Sequence, residues 1–281
     1  MRSCSQSRTV RRRALRGAAS GGGVLTHRLP PTEAENPQST GLDLLATPAL
    51  VELLIADQRS AVDAALAQTA TIARAVDEIA SRLSRGGRLH YVGAGSSGRI
   101  ATLDGSEMPP TFGTPPEMVR AHIAGGTAAL IGAVEGAEDD ASAGDGTMLE
   151  CVRPDDAVLG ISASGTAAFV IAAIARARAI GAYTIALTVD AQSALAHAAE
   201  LAIVSSTGAE VLAGSTRLKA GTAQKVVLNA ISTAVMVRLG KVYDNLMVDV
   251  VANNRKLRAR ALRLVVRLAR VDEAHAQELL E

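Results

Sequence analysis

Short apolar runs alternate with glycine- and serine-rich turns through the middle of this chain. The segments between the runs carry apolar residues at helical spacing. Short continuous apolar runs predict buried strands, and strands that alternate with helices predict βαβ units with a parallel sheet. We therefore expect an α/β fold. The predicted strands cover residues 89–92, 118–123, 156–162, 183–189 and 201–205.

Helices are predicted on both sides of this strand region. From Pro48 to Leu83 the apolar spacing predicts one long helix or two in series, ended by Gly86-Gly87. A basic, leucine-rich helix is predicted from about residue 254 to 281, either as a solvated amphipathic helix or as a partner or phosphate contact. A polar loop is predicted within 208–221. The other predicted helices are 127–134, 141–151, one ending at residue 180, 193–199 and about 215–239.

The composition fits such a fold. Of the 281 residues 48% are hydrophobic but only 2% are aromatic, so small aliphatic side chains must build the core, as in helices packed on a parallel sheet. The net charge of +1 conceals an asymmetry, because residues 1–29 hold seven arginines and no acid while the rest is acidic. An acidic body argues against a nucleic-acid surface.

Composition also suggests a division of the chain. Residues 1–31 are rich in Arg, Ser and Gly, which predicts a disordered tail, either a solvated extension or an arm for an anionic partner. Residues 32–253 form the main domain and 254–281 the C-terminal helix. Cys4 and Cys151 make neither a disulfide framework nor a zinc site, which fits a reducing cytoplasm. No apolar run reaches the roughly 18 residues of a membrane span.

The segment GAGSSG at residues 93–98 follows the first strand and opens a helix. Glycines let the backbone approach a ligand, and helix-start N–H groups favour anions. The spacing also matches a dinucleotide fingerprint, but the acid required about 20 residues later is missing from the proline-containing loop 111–116. Ser96 and Ser97 instead favour a single phosphate, as in a sugar phosphate, with a purely structural turn as the alternative.

A second hydroxyl-rich turn, residues 162–166, follows the strand 156–162. Because the carboxyl ends of parallel strands meet at one edge of the sheet, the two turns can converge on one ligand. Both turns are therefore predicted to bind the substrate. The candidate phosphate-binding residues are Gly95, Ser96, Ser97, Ser162, Ser164 and Gly165.

Two acidic residues are candidates for proton transfer. Glu107 follows the first turn, and Glu138 lies in an acidic cluster before a helix; surface solvation is the alternative for both. Glu210 and Lys219 are further candidate substrate-binding residues. Lys219 is among the basic groups nearest the predicted loop-to-helix start, and it can pair with a phosphate or a carboxylate. The five histidines show no metal spacing, so no metal is assigned.

Four long segments together resemble the N-acetylmuramic acid 6-phosphate etherase family of the sugar-isomerase (SIS) superfamily. The resemblance covers about residues 32–265. It implies the SIS fold, a three-layer αβα sandwich with a mostly parallel sheet, flanked by N- and C-terminal helices. It also implies a cytoplasmic homodimer with sites near the subunit interface and no cofactor. The segments are 92–113, 123–140, 214–237 and 240–257.

The resemblance further implies a lyase of cell-wall sugar recycling, with Glu107 and Glu138 as its catalytic residues. The C2 proton is removed, D-lactate leaves from C3, and water adds to give N-acetylglucosamine 6-phosphate. Residues 163–168 read ASGTAA where the family usually reads ASGRTP. Because Thr cannot replace a guanidinium as a charge or a bidentate donor, this departure bears on substrate binding.

Three other functions stay open on the sequence. The first is a non-catalytic sugar-phosphate regulator, which the presence of both glutamates disfavours. The second is an aldose–ketose sugar-phosphate isomerase, in which Glu210 would serve as the base. The third is a nucleotide-dependent dehydrogenase, which the missing ribose-binding acid disfavours.

Overall fold

The computed structural model describes residues 30–249 and 255–280. The predicted tail, residues 1–31, therefore falls almost entirely outside the described residues, and the three-part division of the chain stays a prediction. Among the described residues, no helix combines the length and apolar character that a membrane crossing requires.

A five-stranded parallel sheet forms the middle layer, in the order β2-β1-β3-β4-β5. Leu89 pairs with Val119 on one side and with Ala157 on the other, so β1 lies between β2 and β3. The strand predictions are confirmed to within two residues because buried parallel strands are continuous apolar runs. The strands are β1 Leu89–Gly93, β2 Val119–Ile123, β3 Ala157–Ile161, β4 Tyr183–Thr188 and β5 Leu201–Val204.

Helices cover both faces of the sheet, so the predicted three-layer αβα sandwich is confirmed. A two-stranded hairpin that the sequence analysis missed, β6 Val242–Tyr243 with β7 Leu246–Met247, follows the last helix of the sandwich. The helices are α1 Thr47–Ala56, α2 Arg59–Leu66, α3 Thr69–Ser84, α4 Gly95–Phe112, α5 Ala128–Ile131, α6 Ala141–Cys151, α7 Ala168–Ile180, α8 Ala194–Ala198, α9 Lys219–Arg238, α10 Arg255–Ala269 and α11 Glu273–Leu280.

Two large apolar clusters, one on each face of the sheet, form most of the core of the described residues. Helices α3, α4 and α9 pack on one face, where Ile79, Ile231 and Leu159 belong to the same buried cluster. Helices α6, α7 and α8 pack on the other, where Ile174 meets Val158. Successive strand residues point to opposite faces, so Val158 and Leu159 serve different clusters. Each fully buried aliphatic side chain of this kind contributes about 1.5–3 kcal/mol.

The N-terminal helical region differs from its prediction. The structure has three helices, α1, α2 and α3, where one or two were expected, with breaks at residues 57–58 and 67–68. Asp57 at the first break forms a buried ion pair with Lys219 at 2.9 Å. The break is thus tied to a residue far along the chain, which helical spacing does not reveal.

The C-terminal prediction of a single helix over 254–281 is wrong. Helix α10 ends at Ala269, and Arg270 adopts a left-handed backbone conformation at φ 57°. Asp272 then caps α11 by accepting a hydrogen bond from the backbone N–H of His275 at 2.8 Å. A left-handed residue followed by a capping aspartate ends one helix and starts another.

Three other helix limits need correction. The helix expected over 127–134 is a single turn, α5, that ends at Ile131 and is followed by Gly132 at its C-cap. Helix α4 extends to Phe112, through two prolines into the loop predicted at 111–116. Helix α9 begins at Lys219 rather than near residue 215, because the side chain of Glu210 caps it there.

Candidate active site

The candidate site lies at the carboxyl edge of the sheet between β1 and β3. The strand order reverses direction at this pair, and open α/β sheets bind ligands at such a switch point. A cavity of about 100 Å³ opens there. We call it the serine cavity. Its lining residues are Ala94, Gly95, Ser96, Ser97, Glu138, Ile161, Ser162, Ala163, Ser164 and Thr216.

The first wall of the serine cavity is the start of α4. Helix α4 begins at Gly95, and its first N–H groups have no partner within the helix, so they can donate to an anion. Gly98 holds this helix start close to the sheet. A Cβ atom there would lie 2.9 Å from the carbonyl oxygen of Gly93 and 2.5 Å from the Ile123 side chain. The turn therefore brings backbone donors and two serines to the strand end.

The second wall is the turn after β3. The hydroxyl oxygen of Ser162 accepts a hydrogen bond from the Gly165 backbone N–H at 3.1 Å, which leaves the hydroxyl proton for a ligand. Gly165 has φ +70°, and a side chain there would overlap Ser193. Ser164 and Thr166 share a hydroxyl–hydroxyl hydrogen bond of 2.7 Å. The turn is thus a compact row of hydroxyl groups.

Glu138 lies at the rim of the serine cavity. It belongs to a 3-10 turn, Ala137–Asp139, which is held from both sides. On one side Asp140 caps α6 by accepting from the Ala143 backbone N–H at 2.9 Å. On the other side, Arg99 donates to the carbonyl oxygens of Leu130 at 3.2 Å and Gly132 at 2.6 Å, near the end of α5. The Glu138 carboxylate is therefore exposed but carried on an anchored segment.

Glu107 does not line the serine cavity. It stands twelve residues after Gly95 on α4, about 18 Å along the helix axis at 1.5 Å per residue. It lines a second cavity of about 210 Å³ with Lys225 and Asn229 of α9. Within one chain the two candidate catalytic glutamates therefore face different cavities.

A buried carboxylate, Asp104, anchors the helix that carries Glu107. It accepts hydrogen bonds from Tyr91 Oη at 2.9 Å, Asn229 Nδ2 at 2.6 Å and Ser232 Oγ at 3.1 Å. Burial, followed by the Asp104 charge, raises the pKa of Tyr91 well above its ordinary value. Asp104 thus fixes α4 against β1 and α9, one turn before Glu107.

Glu210 and Lys219 have structural partners. The Glu210 carboxylate accepts hydrogen bonds from the backbone N–H groups of Lys219 at 3.2 Å and Ala220 at 2.9 Å. Burial raises the pKa of Glu210, although these two N–H groups act in the opposite sense. Lys219 Nζ pairs with Asp57 at 2.9 Å. Neither side chain lines the serine cavity, and the substrate contacts predicted for them stay predictions.

Thr216 is a cavity residue that the sequence analysis did not single out. It lies in the segment GSTRLKAG, just before α9, and lines the serine cavity together with the two turns. The available signal was a hydroxyl residue after glycine in a polar loop. That signal is weak, because such loops are common in any α/β protein.

The parallel sheet and its strand order are those of an open α/β domain, and family models place the protein in the class of SIS domains. The SIS domain model matches residues 135–234, and the model of the glucokinase regulatory protein N-terminal SIS domain matches residues 71–178. A phosphoheptose isomerase from Francisella tularensis superposes with TM-score 0.54 at 21% identity, over 68% of this chain and 97% of that one. A putative phosphosugar isomerase from Bacteroides fragilis gives TM-score 0.53 at 22% identity, over 70% and 93%.

Sequence relatives define the family within that class. The N-acetylmuramic acid 6-phosphate etherase of Symbiobacterium thermophilum is 49% identical over 250 residues, 89% of this chain and 83% of the relative. That of Gloeobacter violaceus is 51% identical over 251 residues, 89% and 82%. The chain belongs to the N-acetylmuramic acid 6-phosphate etherase family.

Proposed function

We propose that this protein is a lyase that cleaves the D-lactyl ether of N-acetylmuramic acid 6-phosphate. The products are N-acetylglucosamine 6-phosphate and D-lactate, and the reaction serves the recycling of cell-wall amino sugars in the cytoplasm. The observation that carries the proposal is the serine cavity itself. It combines a phosphate-sized space with an adjacent carboxylate, in a chain whose relatives carry the etherase name.

The phosphate is bound in this proposal by two turns, residues 93–98 and 162–166, which we call the serine turns. Ser96, Ser97 and Ser162 offer hydroxyl groups, and the start of α4 offers backbone N–H groups. Hydrogen bonds to an ionised phosphate are shorter and stronger than bonds between neutral groups. A cavity of about 100 Å³ holds the phosphate, while most of the sugar extends out over Glu138.

The chemistry is an elimination followed by an addition. Glu138 removes the proton from C2, and a second acid protonates the lactate oxygen as the bond to C3 breaks. Water then adds to C3 of the unsaturated sugar, and the proton returns to C2. General acid and base groups each contribute about 10²–10⁴-fold to such steps.

Glu107 supplies the second acid from a partner subunit. In its own chain Glu107 faces the second cavity and not the serine cavity. The small volume of the serine cavity supports an outer wall from another copy, because cavities that enclose ligands of this size usually measure about 300–1,000 Å³. A symmetric homodimer that brings the partner subunit's Glu107 over Glu138 completes two equivalent sites.

The residues at 166–168 modify how the substrate is held. Thr166 bonds to Ser164 and lies at the exposed edge of the second turn, where the family usually has arginine. A hydroxyl pair replaces a charge at this edge, so more of the phosphate binding falls to Ser162 and the start of α4. Substrate affinity is therefore expected to be lower than in an arginine-bearing relative.

The other two sugar-phosphate functions have less support. The match to the regulatory-protein SIS domain favours a non-catalytic sugar-phosphate sensor. Two candidate catalytic glutamates disfavour it. An aldose–ketose isomerase would need Glu210 as its base, but the Glu210 carboxylate is occupied by the N–H groups of α9.

Incubation with N-acetylmuramic acid 6-phosphate separates the three functions. The proposal predicts stoichiometric release of D-lactate and N-acetylglucosamine 6-phosphate. A sensor binds the sugar without consuming it, and an isomerase converts an aldose phosphate to a ketose phosphate without lactate. Intact substrate after prolonged incubation with folded protein would refute the lyase.

A further inference from the structure

Ser97 of the serine cavity has a buried neighbour on α9. The Ser97 hydroxyl donates to Oε1 of Gln224 at 3.0 Å. Gln224 is only 2% exposed, and its Nε2 group has no hydrogen-bond partner among the described residues. Buried N–H groups without a partner are rare in folded proteins, so this amide needs an explanation.

The direction of the Ser97 bond conflicts with phosphate binding. While its proton points to Gln224, the Ser97 oxygen offers only lone pairs to the cavity. Phosphate oxygens are acceptors too, and they require the proton. Half a turn of the Gln224 amide exchanges its oxygen and nitrogen without moving a carbon atom. Nε2 then donates to Ser97 Oγ, and the Ser97 proton is free to turn to the ligand.

We propose that Gln224 is a positioning residue for the substrate phosphate. Its amide donates to Ser97 Oγ when the phosphate is bound and so directs the Ser97 hydroxyl proton at a phosphate oxygen. The proposal rests on the phosphate-binding part of the proposed function. Gln224 accepts from Ser97 in the free protein and donates to Ser97 when phosphate is bound, so its side chain must offer an acceptor and a donor at the same distance. A carboxylate or a thioether cannot do both.

The anchoring of α9 supports this role. The Glu210 carboxylate caps the first turn of α9, and the buried pair between Lys219 and Asp57 ties that turn to the end of α1. Gln224 follows about one turn later. Its backbone position is therefore fixed relative to Ser97, and rotation of the terminal amide is the movement that the proposal needs.

Binding of N-acetylglucosamine 6-phosphate, measured by calorimetry beside unphosphorylated N-acetylglucosamine, tests the proposal. Gln224→Met should weaken binding of the phosphorylated sugar about 10-fold, since one hydrogen bond to a charged group loses its orientation. Gln224→Glu should weaken it about 100-fold, because a carboxylate holds the Ser97 proton and repels the phosphate. In D-lactate assays both variants should raise KM and leave kcat unchanged.

Gln58→Met is the matched control. The Gln58 amide also accepts from a hydroxyl on α9, Thr222 Oγ1 at 2.7 Å, but it does not line the serine cavity. This variant should bind the phosphorylated sugar as the wild type does. Gln224→Met should change the urea midpoint little, because the lost hydrogen bond from Ser97 is offset by removal of a buried N–H group without a partner. A clearly lower midpoint would contradict the proposal, because it would show that the Gln224 amide is fully paired without a ligand.

A double-mutant cycle with Ser97→Ala decides whether Gln224 acts through Ser97. The proposal predicts that Ser97→Ala/Gln224→Met binds no more weakly than Ser97→Ala alone. The proposal would be overturned if the two substitutions weakened binding independently, so that their fold-changes multiplied in the double variant. Wild-type affinity in Gln224→Met would also overturn it. If the wild type itself shows no preference for the phosphorylated sugar, the phosphate site fails and this proposal fails with it. If Gln224→Met does not fold, Gln224→Glu supplies the same comparison.

Discussion

The polar groups at the amino edge of the sheet, where the parallel strands begin, are more fully hydrogen-bonded than those at the carboxyl edge, where the strands end. At the amino edge Asp156 accepts hydrogen bonds from the backbone N–H groups of Arg88 at 2.8 Å and Arg153 at 2.9 Å. It also forms an ion pair with Arg88 at 2.7 Å and a hydrogen bond with His90, which in turn bonds to His122. In this network, which we call the Asp156 network, both carboxylate oxygens of Asp156 are paired, and Asp156 and His90 are buried.

At the carboxyl edge the polar groups are incompletely paired. The serine cavity presents hydroxyl groups, the free N–H groups of α4 and the exposed Glu138 carboxylate. A carboxylate whose oxygens are both paired has little left to offer a ligand, whereas unpaired donors around a cavity gain a partner when an anion enters. The comparison indicates that substitutions at the amino edge should reduce stability and those at the carboxyl edge should reduce activity.

The largest effect is expected from Glu138→Gln at the carboxyl edge. Loss of a general base should lower kcat at least about 1,000-fold, or about 4 kcal/mol of transition-state stabilisation. Because Glu138 is exposed, the urea midpoint should not change. Glu135→Gln, three residues earlier and outside the cavity, is the matched control and should stay active. Full activity in Glu138→Gln would contradict the catalytic role of Glu138 at the carboxyl edge.

Asp156→Ala should have the largest effect on stability. Removing the carboxylate takes the acceptor from the buried His90 Nε2 and from the partly buried Arg88 Nε, which costs about 4 kcal/mol in the free energy of unfolding. Urea unfolding measures the change, and kcat per folded molecule should stay the same. Asp145→Ala, which breaks an exposed pair with Arg176, should leave the midpoint unchanged. Equal urea midpoints for the two variants would contradict a stabilising role for the Asp156 network.

Acidification should weaken the Asp156 network through His122. Burial, followed by the charges of His90, Arg120 and Arg88, lowers the pKa of His122 to about 4. The unfolded chain, with an ordinary histidine pKa near 6.5, then binds more protons between pH 4 and 6.5, so stability rises with pH across this window.

The size of the pH effect is about 3 kcal/mol of unfolding free energy lost between pH 7 and pH 4. His122→Gln keeps a donor for His90 and removes the titration, so its stability should vary less with pH over that window. Urea unfolding at pH 7, 5.5 and 4 compares the two proteins. Parallel pH curves would show that His122 is not the titrating group.

The smallest effect is expected from Ser162→Ala. The substitution removes one hydroxyl donor of the serine cavity and the acceptor for the Gly165 backbone N–H. Substrate binding should weaken about 10-fold, the value of one hydrogen bond to a charged group. KM from D-lactate release measures it, with Ser206→Ala, outside the cavity, as the control. An unchanged KM would contradict a role for the turn at residues 162–166 in binding the phosphate.

The sequence predicted those parts of the fold that depend on local pattern. The strands followed from continuous apolar runs, and the two serine turns followed from their position at strand ends. The end of α1 did not, because it depends on the pair between Asp57 and Lys219, which are 162 residues apart. The start of α9 depends on the Glu210 side chain folding back on the helix, a tertiary feature that helical spacing does not encode.

The candidate site was predictable to the same limit. Serines on two strand ends converge because parallel strands share an edge, and the chain does place Ser96 and Ser162 around one cavity. The relation between the two glutamates was not predictable, since Glu107 stands three turns along α4 and faces α9. Gln224 was also invisible, because an interior glutamine in a helix resembles any other polar residue until its partners are known.

The most direct test of the shared site is D-lactate release by a refolded equimolar mixture of Glu107→Gln and Glu138→Gln chains. Each variant alone should be inactive. In a mixed dimer one site combines the intact Glu138 of one chain with the intact Glu107 of the other. Random pairing then restores about a quarter of wild-type activity in a symmetric dimer. A mixture as inactive as its parents would contradict a site completed by the partner subunit.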